Sequence, residues 1–163
     1  MPVPDKVYLS TPSDTSTSAL GVTGEIREHI HATYGKQFYR MVKNDTGSSI
    51  AANLAVVYDL TGTSADGVKV TKSAASAPAV TVAGITQNAI ADGYYGWVCC
   101  GGQCLATADD AVDISTLATA MTGSTVGELN DTAIAGLEHC IIGVFLEDKA
   151  GTGTVKVALS NLM

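Results

Sequence analysis

Two groups of residues in this 163-residue chain have the types and spacing to do chemistry. The first is Glu28-His29-Ile30-His31. Side chains two apart on a strand share a face, so His29 and His31 could hold a metal ion with a third ligand. No Asp or Glu can be singled out as that ligand, and the residues favour an exposed polar face. The second group is Cys99, Cys100 and Cys104, with His139-Cys140 further on. Adjacent residues on a strand point to opposite faces, so each pair supplies at most one ligand to any one site. That is too few for a closed tetrahedral zinc shell. Asp109-Asp110 and Glu147-Asp148 fall where loops are expected and read as solvated acids. There is no Gly-x-Ser-x-Gly elbow, phosphate-binding glycine loop or His-Glu-x-x-His. Nothing here takes a catalytic role, so the expectation is a non-enzymatic protein with no cofactor and no metal.

Gly101-Gly102 is a two-residue hairpin signal, because a type I′ turn needs positive φ at both positions. In that register Trp97 faces Ala106, Val98 faces Leu105 and Cys99 faces Cys104. One face carries Trp97, Cys99, Cys104 and Ala106; the other carries Val98, Cys100, Gln103 and Leu105. Directly opposed cysteines have Cα atoms roughly 4.5–5.5 Å apart, within disulfide range, so Cys99 and Cys104 could be bridged. The alternative is that all four cysteines are reduced, buried small hydrophobes, as is usual in cytoplasmic proteins. The residues favour reduced thiols. Tyr94, Tyr95 and Trp97 could form a stacking platform for a sugar, but their apolar neighbours favour a core or an interface.

These groups need strands to position them, and the pattern supplies strands. Gln37–Lys43 alternates and is followed by the turn signal Asn44-Asp-Thr-Gly47. Further strands are expected over Leu54–Leu60, Val68–Lys72, Ala79–Thr86, Tyr94–Cys100, Cys140–Leu146 and Gly153–Leu159. Many short strands with turns between them indicate an all-β fold, a small barrel or sandwich. Residues 1–34 read as an N-terminal arm and lead-in, because 1–24 is mostly Ser, Thr, Pro, Asp and Gly. Val7, Tyr8 and Leu9 would anchor that arm on a neighbour. Residues 35–163 form the β domain, with an extended excursion around 107–136.

Composition narrows the class. Apolar residues make up 46% of the chain and charged ones only 15%, against about 25% in an average domain. A surface so poor in charge is expected to be covered partly by other subunits. The net charge is −7 and the pI about 4.7. A nucleic-acid binder needs Lys and Arg to displace counterions, so contact with DNA or an anionic membrane is not expected. No run reaches the ~18 apolar residues of a membrane helix, and the start lacks the apolar core of a signal peptide. Synthesis in a cytoplasm follows. Asn44-Asp-Thr46 and Asn130-Asp-Thr132 match the glycosylation pattern, which is not expected to be used without secretion.

Three stretches resemble virion structural proteins of tailed bacteriophages. They are Gly35-Lys-Gln-Phe-Tyr-Arg-Met-Val-Lys-Asn-Asp-Thr-Gly47; Val80-Thr-Val-Ala-Gly-Ile-Thr86 with Ala91-Asp-Gly-Tyr-Tyr-Gly-Trp-Val98; and Ile141-Ile-Gly-Val-Phe-Leu-Glu-Asp148 with Val155-Lys-Val-Ala-Leu159. The last is similar to the closing hairpin of capsid decoration (cement) proteins. The resemblance implies a β-tulip-like barrel on the outer capsid surface, commonly a homotrimer at three-fold positions. Its partners would be the major capsid protein and copies of itself. It covers 35–159 as a strand pattern and carries over no site residues. The competing functions are a phage tail, fibre or head-spike subunit, and a carbohydrate-binding β-module.

Overall fold

β-branched and alternating runs become strands, and the turn signals fall between them. The computed structural model describes residues 10–58, 69–72, 81–109, 118–122, 126–131, 141–151 and 153–160. Ten strands occur there: β1 Ile26–His31, β2 Gly35–Asn44, β3 Ala55–Tyr58, β4 Lys69–Lys72, β5 Val82–Thr86, β6 Tyr95–Ala108, β7 Thr119–Thr122, β8 Leu129–Asn130, β9 Ile141–Phe145 and β10 Gly153–Leu159. The fold is all-β and sandwich-like, as its alternation predicts. Three strands arise where the pattern predicts none. β1 lies within the stretch read as arm and lead-in, and pairs along its whole length with β2. β7 and β8 lie within the excursion and pair with β9 and β6.

The strand order is β1-β2-β4-β3-β5-β6-β10-β9-β7-β8, and β2 and β8 also pair directly with β6. All pairings are antiparallel except β2–β4 and β6–β8. The 14-residue β6 organises this arrangement. Its first half has β2 on one edge and β5 on the other, with Cys99 opposite both Tyr39 and Ile85. From Gly102 onward β10 replaces β5, and at Ala108 β8 takes the remaining edge. β6 is therefore a spine shared by two groups of strands.

The expected Gly101-Gly102 hairpin does not form. The chain runs through both glycines as one strand, and Cys99 pairs with Tyr39 rather than with Cys104. The glycines serve a bulge. Phe38 faces Gly101 and Tyr39 faces Cys99, so Cys100 is the extra residue. Gly102 sits at φ +88°, and a Cβ there would run into the Lys36 carbonyl oxygen. Positive φ serves a bulge as well as a turn. Long-range pairing with β2 and β10 decided between them.

Inserting one residue also inverts the alternation of β6. Trp97 and Cys99 before the bulge, and Cys104, Ala106 and Ala108 after it, all enter one core. Tyr39, Met41, Phe145, Ile142, Val155 and Val157 complete that core around both strand groups. A second, smaller core covers the other face of the first group, from Val42, Ile50, Val56, Ala83, Ile90 and Val98. Asn44 braces the turn that follows β2. Its buried carboxamide donates to the Ser48 and Ile90 carbonyls, each at 2.8 Å, and accepts from Thr46.

Candidate functional site

Trp97 lies mid-strand on β6 and is buried, opposite Met41 of β2. Ala106, the partner expected from the hairpin, belongs to the same core but not to its register. The Arg27 guanidinium of β1 stands 4.5 Å from the indole centroid, within cation–π range. Arg27 also bonds Glu25 at 3.3 Å and the Ser10 hydroxyl at 3.0 Å. Ser10, Pro12, Arg27, His29, Tyr39 and Trp97 border a cleft of about 260 Å³. Among the described residues, the buried Trp97 Nε1–H has no hydrogen-bond partner.

Trp97 therefore packs inward and is no exposed stacking surface. Tyr94 packs on the second core. Tyr95 is half-buried, with the Lys43 ammonium 6.0 Å from its ring centroid, and forms an isolated bridge with Ser16. That bridge, with backbone bonds of 3.0 and 2.7 Å, ties the N-terminal segment to β6. Val7, Tyr8 and Leu9 lie outside the described residues, as do His139 and Cys140.

Cys99, Cys100 and Cys104 are free, buried thiols. The Cys104 thiol hydrogen-bonds to that of Cys99, which lies 3.4 Å from the Gly101 carbonyl oxygen. That bond to Cys99, and then burial, hold Cys104 well above the ordinary thiol range. The same contact lowers Cys99 against the upward push of burial. Cys100 sits apart, pushed up to about 11 by burial while Arg40 pulls the other way. Burial and the neighbouring Cys99 and Cys104 also raise Tyr39, whose hydroxyl donates to Gln37 Oε1 at 3.1 Å. Cys100, Cys104 and Tyr39 are thereby held protonated, which suits packing rather than nucleophilic attack. Among the described residues, no cluster of three or more His, Cys, Asp or Glu is placed to hold a metal.

His29 and His31 share a face of β1, as the spacing predicts, but that face is half-buried against clefts. The outward positions Glu28 and Ile30 are exposed, Ile30 at 66%. Val22, Val126, Ile141 and Val144 are further exposed apolar side chains. Ile141 and Val144, three apart, both face outward because β9 carries an extra residue, Ile142, against β7. Periodicity could not show this, since a bulge leaves no period of its own.

No family model and no curated protein matches the chain. Among solved structures, it is similar to the N base of the head fibre protein gp8.5 of bacteriophage phi29, with a TM-score of 0.54 at 14% sequence identity. The match covers 77% of this chain and 95% of that one. The two share a fold.

Proposed function

We propose that this chain is a structural subunit of a tailed-phage virion, carried on the outside of the head as a decoration protein. The observation that carries the reading is the likeness to the phi29 head-fibre base over nearly all of that domain. Low charge and exposed apolar residues on several elements support it, since they suit a surface covered by neighbours. In this reading the chain binds the major capsid protein and copies of itself, as a trimer, and catalyses nothing. Binding to the assembled shell stabilises the shell by mass action. The same likeness favours a second reading, the base of a head fibre. Adding the purified protein to heads that lack it, and imaging them by cryo-electron microscopy, tests both. Density repeating with the shell lattice, and heads that survive higher temperature, are expected for decoration. Density at a subset of sites, projecting outward, indicates a fibre base. Absence of binding to heads overturns both.

A further inference from the structure

A second cleft of about 600 Å³ adjoins the one at Trp97, the two meeting along Thr11, Pro12, His29 and Tyr39. Among the described residues, no Asp, Glu, Lys or Arg lines it. Its walls are mostly aromatic rings and uncharged hydrogen-bonding groups brought from five separate parts of the chain. The His31 and Tyr34 rings stack with centroids 4.6 Å apart and planes 24° from parallel. His29 continues the row, 6.4 Å from His31 and 6.1 Å from Tyr39. His31 is held in place by its Nδ1, which accepts from the Thr33 and Tyr34 backbone at 3.0 and 3.3 Å. Neutral His31 therefore carries its proton on Nε2, as a donor.

The amides divide into fixed and unspent groups. Gln87 is fixed: its side chain donates to the Leu105 carbonyl and accepts from the Leu105 N–H, at 3.0 and 3.3 Å. Gln37 is fixed between Tyr39 and the Gln103 carbonyl. Among the described residues, Asn53 makes only backbone bonds, Asn88 has a single 3.5 Å contact with the Pro12 carbonyl, and the Tyr34 hydroxyl has no partner. Together they line the cleft with donors and acceptors not used by the fold.

We propose that this cleft binds a neutral saccharide. A sugar hydroxyl both donates and accepts, and so does a carboxamide. The C–H face of a pyranose offers apolar surface to an aromatic ring. A cleft of this size, with placed polar groups on the turns that flank a sheet, fits a small ligand. An anion would want a permanent cation, and among the described residues no Lys or Arg lines the cleft.

The test is calorimetric titration of the full chain with maltotriose, cellotriose, N,N′,N″-triacetylchitotriose and, as the anionic control, trigalacturonate. At least one neutral probe is expected to bind saturably with Kd of ~1 mM or tighter, and the control is not. Tyr34→Ala and Asn53→Gly should each weaken that binding about tenfold or more with the melting temperature unchanged. Asn53 sits at φ 63°, which glycine adopts freely, so Asn53→Gly reads the site even if Tyr34→Ala fails to fold. No binding of any neutral probe up to about 10 mM overturns the proposal. So does binding of trigalacturonate alone, or binding undiminished in Asn53→Gly. Attachment of Asn53→Gly to heads should match the parent chain, so failure here leaves the virion reading standing.

Discussion

Trp97 and the three thiols show how much one side chain can carry in this core. Truncating a buried Trp to Ala removes contacts that its neighbours do not refill, typically costing about 3–5 kcal/mol. Trp97→Ala is therefore expected to lower the unfolding free energy by that amount in urea titration. Trp97→Phe should cost less than about 2 kcal/mol, because among the described residues the indole N–H has no partner to lose. Equal losses for the two would show that the indole nitrogen matters after all. The thiols predict a pH dependence. Cys100 rises from 9.0 to about 11 in the folded chain, and Cys104 is raised as well. The folded state then keeps protons that the unfolded chain releases. Stability from these groups is full below pH 9 and is lost as pH rises toward 11, Cys100 accounting for about 2–3 kcal/mol. Melting temperatures should fall across that window, and Cys100→Ala should fall less steeply. An identical slope in Cys100→Ala would remove Cys100 from the account.

At the scale of elements, the bulge in β6 lets one strand serve two groups. Gly102 needs φ +88° and a bare Cα against the Lys36 carbonyl. Gly102→Ala should cost on the order of 1–3 kcal/mol, and a larger side chain more. Gly35 makes the comparison clean. It has φ +70° with open space around it, and Asn tolerates that conformation. Gly35→Asn is expected within about 0.5 kcal/mol of the parent chain by chemical denaturation. If Gly102→Ala is equally mild, the close approach to β2 is not what selects glycine there.

At the scale of the whole molecule, five large apolar side chains among the described residues are exposed. Light scattering at micromolar concentration is expected to show a homo-oligomer, a trimer on the proposed reading. Ile30→Glu, on an exposed position of β1, should weaken any interface that uses this strand while leaving the melting temperature of the subunit unchanged. A monomer at all concentrations would count against self-association. Deleting residues 1–20 removes the Ser16–Tyr95 bridge and the packing of Leu20 on the main core. The shortened chain should fold, melt a few degrees lower, since ~1 kcal/mol shifts a domain of this size by about that much, and attach more weakly to heads. Undiminished attachment would reduce the segment to a local clasp.

Local chemistry was enough to read the all-β class and most of the strands. Period-two alternation and β-branched runs mark β2, β3, β4, β5, β9 and β10, because each needs only its own two faces to be covered. The Asn44 turn was legible for the same reason, its amide bonding residues two and four further on. Trp97, Cys99, Cys104 and Ala106 were correctly grouped on one face, yet through a hairpin that does not exist. A turn reverses a strand and a one-residue bulge inverts its alternation, so both bring the same four residues to one side. Only partners far along the chain distinguish the two. Pairing of β6 with β2 and with β10 made it one continuous strand. Polar β1 and the short β7 and β8 likewise exist because neighbouring strands offered them edges. The larger cleft was invisible for a related reason. His31, Asn53, Asn88 and Leu105 carry no common motif, and only the crossing of strands and loops sets them around one space.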